Sequence, residues 1–196
     1  LSSLVDFEMF RPALEDVLVK KDCKSKAGRP QYDVVLMFKV IFLQRYYGLG
    51  DKQIQYQIID RTSFRQFLSI RTVEDVPDEK TVWNVKNQLS QSGTFDTLFT
   101  TFREFLNAKG LSFNEGKIID ASFVEAPKQR NSHEENKRIK AGNGDSLWND
   151  KPHKKSHKDT DARYTKKRGE THYGYKSHVK ADKKTKLIET YATTDA

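Results

Sequence analysis

The chain has 196 residues, room for one or two domains with a real core, and it is 36% hydrophobic and 32% charged. Its net charge of +8 is uneven: Ala126 to Lys186 holds 18 Lys/Arg against 8 Asp/Glu and the remainder 17 against 19, which points to a polyanionic partner for that one segment. The single cysteine, Cys23, excludes an intrachain disulfide and zinc sites built on several cysteines. No apolar run approaches the roughly 20 residues of a spanning helix and the start lacks a secretory pattern, so no membrane partner is expected.

The first half reads as short helices with clear punctuation. Gly28-Arg29-Pro30 predicts a turn, Asp33 a cap, and Val34 to Leu43 a helix so apolar that it belongs in a core, with Gly48 ending it. Asp51 is placed to cap a helix carrying Ile54, Ile58 and Ile59, and Thr62 or Ser63 to cap another carrying Phe64, Phe67 and Leu68. After an irregular stretch, Arg71–Pro77, Asp78 caps a predicted helix through Trp83, Val85 and Leu89 that Gly93 closes. Thr94 then starts an aromatic stripe, Phe95, Leu98, Phe99, Phe102, Phe105 and Leu106, whose spacing predicts a core helix up to Gly110.

Beyond Gly110 the period changes. Lys117–Val124 predicts a strand, and His172–Ala181 and Leu187–Thr194 predict two more around the turn Asp182–Lys186. The polar stretch from Pro127 to about Glu170 has almost no apolar periodicity and is expected to be a loop that orders only on a nucleic acid. The fold class expected is α+β: an all-helical domain over 1–110, then an α/β domain over 111–196 with three strands and a basic insertion at 127–170.

Asp120 stands in the middle of the first strand, between Ile119 and Ala121. A carboxylate there is costly to bury unless it is paired, protonated or metal-bound. The strand alone leaves two readings open, a solvated face or a metal ligand. A basic segment downstream favours the second, because two-ion phosphodiester chemistry sets acidic ligands within a phosphate-binding surface and hard oxygen donors select Mg²⁺ or Mn²⁺. Glu125 falls on the opposite face of an unbroken strand and is not expected to join Asp120.

Several blocks resemble a known family. Gly28–Met37, Gln44–Leu49, Arg61–Leu68 and Val76–Thr81 resemble the N-terminal, DNA-binding domain of bacterial insertion-sequence transposases of the insertion-sequence-five type. Ile118–Pro127 resembles that family's first catalytic strand, and Asp159–Lys167 with His172–His178 its second-strand approach. The resemblance implies a ribonuclease-H-like core with an Asp-Asp-Glu triad, of which Asp120 matches the first Asp, as catalytic residue and metal ligand for two Mg²⁺ (or Mn²⁺) ions. It implies double-stranded DNA as partner, both terminal inverted repeats and target, a homodimer on DNA, and a cytoplasmic, nucleoid-associated protein that cleaves and transfers DNA strands.

Lys80 and Lys86, on the Asp78–Leu89 helix chosen to enter the major groove, and Arg163, Lys166, Lys167, Arg168, Lys176 and His178 are the candidate DNA contacts. Tyr173 and Tyr175 are lesser candidates for stacking on a base, with strand packing as the plainer reading. The family's second Asp and its distant Glu are not matched, Asp195 not being in a His-Asp pair, and the chain opens on Leu1, so truncation at both ends is expected. Two other readings remain: a non-catalytic DNA-binding fragment that inhibits or outlives the element, and an RNA-binding basic protein.

Overall fold

The computed structural model describes residues 4–19, 30–111, 116–167 and 169–195. Gly28 and Arg29 of the expected turn, Cys23 and Arg168 lie outside them. The chain divides into two compact units, Leu1–Lys109 and Gly110–Ala196.

The first unit is helical. A 3-10 turn, Phe7–Phe10, leads into α1 (Arg11–Leu18), followed by α2 (Val34–Tyr46), α3 (Asp51–Asp60), α4 (Thr62–Leu68), α5 (Glu79–Gln91) and α6 (Thr94–Ala108). The sequence reading did not include α1, although Phe7, Phe10, Leu14 and Leu18 follow a three- and four-residue spacing and are all buried. Asp33 caps α2 by accepting from the Val35 and Leu36 N–H groups, each at 3.0 Å. The apolar α2 is buried from Val34 to Leu43 on several sides. It feeds two cores: Met37, Val40 and Leu43 pack with Ile54, Ile58, Phe64, Leu68 and Val82, and Val35 and Ile41 with Leu14, Leu89 and Leu98.

Four expectations for this unit differ from the structure. Gly50, not Asp51, occupies the cap position of α3, and the Asp51 side chain turns instead to Gln44 and Lys86. Arg61 precedes α4 without a side-chain cap, so neither Thr62 nor Ser63 caps it. The aromatic stripe of α6 is only partly core: Leu98 is buried, whereas Phe95, Phe99, Phe102 and Phe105 are half-buried. On α5, Val82 and Leu89 take the buried face and leave Trp83 52% exposed, so Trp83 is not the core residue its neighbours suggested.

The second unit is built on a four-stranded antiparallel sheet: β1 (Lys117–Glu125), β2 (Arg163–Lys167), β3 (Glu170–Asp182) and β4 (Ile188–Asp195). The long β3 is central, with β1 along one edge and β2 and β4 end to end along the other. Three strands were expected; Arg163–Lys167 is the one not foreseen, because its residues alternate without an apolar face. The β3–β4 turn is held by Asp182, fully buried, which accepts from the Lys184 and Thr185 N–H groups.

The insertion is also corrected. Instead of an unstructured loop it forms α7 (His133–Lys140) and α8 (Pro152–Ser156) around a small core of Ile139, Leu147 and Trp148. A capping box starts α7, Ser132 and Glu135 each bonding the other's N–H. Glu135 also accepts from the Trp148 indole at 2.6 Å and pairs with Lys154 at 2.7 Å, while Lys154 and Lys158 lie over the Trp148 ring. These bonds to Lys154, the Ser132 N–H and Trp148 hold the Glu135 carboxyl at about 2. Side-chain bonds and cation–π contacts thus replace the apolar periodicity that the sequence lacks.

Candidate nucleic-acid interface and the Asp120 strand

In the helical unit, α3 and α5 pack through Ile54, Ile58 and Val82 and leave an outer surface of mixed chemistry. Lys52, Tyr56, Lys80, Trp83 and Asn84 are exposed there, Tyr56 at 58%. On α5, Lys80, Trp83 or Asn84, and Asn87 recur at three- and four-residue spacing and so share one side of the helix. Asp78 caps that helix by accepting from the Thr81 N–H at 2.8 Å, and the Gln55 side chain accepts from the Glu79 N–H at 3.3 Å, tying α3 to the start of α5. The surface offers two cations, two amides and two aromatic rings, the inventory used for phosphates, base edges and thymine methyls. Of these, only Lys80 was singled out from sequence. Trp83 and Asn84 were legible too, since they fall off the Val82–Leu89 stripe.

The other helical candidate, Lys86, is placed differently. It is half-buried and pairs with Asp51 across α3 and α5. Burial pushes the Asp51 carboxyl up, but hydrogen bonds from Lys86 and Gln44 outweigh it and hold the group below its ordinary value. Lys86 therefore braces the two helices and lies behind the exposed surface.

In the second unit, directly paired residues of an antiparallel sheet share a face. Asp120 pairs with Val179 and Val179 with Tyr191, so these three stand on one face together with Ser122, Ser177 and Thr193. Asp120 is exposed, and its Oδ1 accepts from the Ala121 N–H at 2.8 Å. Ala121 pairs with His178 and Phe123 with Lys176, which puts Lys176 and His178 on the opposite face. Thr165 pairs with His172 and Lys167 with Glu170, so Lys167 joins that opposite face, where its amine lies over the Phe123 ring. Lys166, paired with Thr171, shares the parity of Asp120 and is exposed.

The basic candidates are therefore divided between the two faces. His178 bonds Thr194 at 3.0 Å, and Glu125, on the face away from Asp120, meets His172 at 3.3 Å. Arg163 donates to the carbonyls of Thr160 and Ala162 and stands 3.5 Å from that of Ile139, clamping the insertion to β2. Tyr173 is buried, and Tyr175 donates its hydroxyl to Asp159 at 2.7 Å, so both rings serve packing. Burial and the Asp159 carboxylate push the Tyr175 hydroxyl well above its ordinary range. Among the described residues no group of three or more His, Cys, Asp or Glu side chains could hold a metal ion. Asp120 by itself does not make a two-ion site.

Residues 1–88 match the family model described as Transposase domain (DUF772). This segment is similar to a transposase domain. The match spans α1 to α4 and ends at Gln88, within α5, so the matched segment includes the exposed Lys80, Trp83 and Asn84. No solved structure matches the chain. No helix among the described residues is long and apolar enough to cross a membrane.

Proposed function

We propose that this chain is a polypeptide of a DDE-type insertion-sequence transposase, whose helical unit binds the element ends and whose sheet is the start of a ribonuclease-H-like core. The match of residues 1–88 to a transposase domain carries the reading. Two observations support the finer assignment: the exposed Lys80, Trp83 and Asn84 on a capped helix, and the exposed Asp120 on a strand of otherwise apolar centre. In this reading α5 enters the major groove, Lys80 contacts phosphate or guanine, and Asn84 reads a base edge. Asp120 is the position at which the complete enzyme would bind Mg²⁺ or Mn²⁺, and Lys166 is the basic candidate on its face.

Binding of the chain to duplexes bearing the terminal repeats, followed by fluorescence anisotropy, tests the assignment. Trp83→Ala and Asn84→Ala should each weaken binding roughly tenfold while leaving the helical content unchanged. Unchanged affinity in both would remove α5 from the interface.

A second reading has an observation in its favour. Asp120 belongs to no group of three or more His, Cys, Asp or Glu side chains among the described residues, which fits a non-catalytic DNA-binding protein that occupies element ends and competes with an intact enzyme. Adding the chain to a transposition assay separates the readings: this one requires inhibition at concentrations that saturate the ends.

A further inference from the structure

The start of the insertion, α7 and the β2–β3 hairpin enclose a cavity of about 450 Å³, within the roughly 300–1,000 Å³ of small-molecule sites. Its walls all come from residues 131–173. The floor is apolar: Ile139, Ala162 and Tyr173 line it, and each is buried. Tyr164 stands beside that floor, its ring 4.5 Å from that of Tyr173 and tilted by 40°. The buried Tyr173 thus holds Tyr164 in place while half of Tyr164 stays exposed, as a stacking surface requires.

The rim belongs to α7. His133, Asn136, Lys137 and Lys140 recur at three- and four-residue spacing, so they share one side of the helix, and all four line the cavity. Neither lysine amine has an ion pair or hydrogen bond, and no carboxylate lines the cavity, among the described residues. Arg163, also at the wall, is engaged by the Thr160 and Ala162 carbonyls and by Asp195. The Asn136 side-chain oxygen accepts from Asn131 at 3.4 Å, which leaves its amide N–H groups to donate. The helix dipole accounts for cations in the last turn of α7. It does not account for their gathering, with His133 and Asn136, around an apolar floor.

We propose that this cavity binds one unpaired nucleotide of a DNA strand. The base stacks on Tyr164 above the floor, the Asn136 amide meets a base edge, and the phosphates lie against Lys137 and Lys140. A bare phosphate would leave the ring and the floor unused, and a cationic ligand would find no carboxylate. The proposal deepens the DNA-binding reading and rests on it for the kind of strand. Duplex is then the ligand of α5, and a frayed or displaced strand that of the insertion.

The test is binding of the full chain to a short oligothymidine carrying one 2-aminopurine. Stacking should quench the probe. Tyr164→Ala should abolish the quenching and weaken binding roughly tenfold or more, and Tyr164→Phe should restore both. Lys137→Gln with Lys140→Gln should weaken the same binding and lower its salt slope by about 0.7 per lysine. Tyr164→Ala should leave affinity for a blunt repeat-bearing duplex unchanged, whereas Trp83→Ala should lose duplex affinity and keep the quenching, so the two readings fail separately. Circular dichroism identifies a variant that fails to fold, and the lysine pair decides the matter if Tyr164→Ala is lost. Absence of strand binding, quenching and affinity that Tyr164→Ala leaves intact, a slope that the folded lysine variant leaves intact, or tighter binding of the same strand as RNA would overturn the proposal.

Discussion

At Gly174 the backbone of β3 has φ +148°, and a Cβ built there would lie 2.1 Å from the Val124 carbonyl oxygen and 2.8 Å from the Ala126 nitrogen. Both are backbone atoms of β1 and its exit, so no side-chain rotation relieves the clash. Gly174→Ala should destabilise the second unit by about 3 kcal/mol or more, read as a lowered denaturant midpoint with the helical unit unaffected. Lys80 and Lys86 form a matched pair of opposite predictions. Lys86→Met leaves Asp51 with Gln44 alone and should cost the helical unit about 1 kcal/mol while changing DNA affinity little. Lys80→Ala should leave stability unchanged and weaken DNA binding. The reverse pattern, by thermal unfolding and anisotropy on both variants, would contradict the placement of Lys86 behind the surface.

Among the elements, the insertion shows where reading from sequence fails. Apolar period is the signal for a helix, and α7 has only Ile139 buried. Its order comes from pairings across sequence, Glu135 to Trp148 and Lys154, Lys158 to Asn131, and Tyr175 to Asp159. Such partners cannot be matched before the chain is folded. By contrast α2 was legible from its cap and its apolar run, and β1, β3 and β4 from β-branched content, with ends shifted by a residue or two. Asp120 was legible as a residue, but its position relative to Lys176 and His178 needed the register, which sends those two to the other face.

The insertion has its own pH signature. Glu135 is held at about 2, below its ordinary 4.5, so its contribution is complete above about 4.5 and is lost as pH falls from there through 2. In a Trp83→Phe background, Trp148 fluorescence should change over that window, and Glu135→Gln should abolish the transition. Amide exchange should show protection in α7 of the free protein. Exchange as fast as an open coil without DNA would restore the unstructured loop.

At the scale of the molecule, the basic excess and the segment similar to a transposase domain fall on different units. The match covers residues 1–88, whereas the surplus of Lys and Arg lies between Ala126 and Lys186. The proposed function gives them different work: sequence recognition through α5, and general attraction for the phosphate backbone through the second unit. Removing cations from α7, as in Lys137→Ala with Lys140→Ala, should weaken binding to repeat-bearing and scrambled duplexes alike. Substitutions on α5 should reduce the difference between them.

The most direct measurement is therefore the affinity of the 196-residue chain for a duplex carrying the inverted repeats that flank its coding sequence, against a scrambled duplex, over a series of salt concentrations. A preference for the repeats of at least roughly tenfold is expected, with a salt slope that falls by about one in Lys80→Ala. Equal affinity for both duplexes, with a slope that Lys80→Ala leaves unchanged, would contradict it.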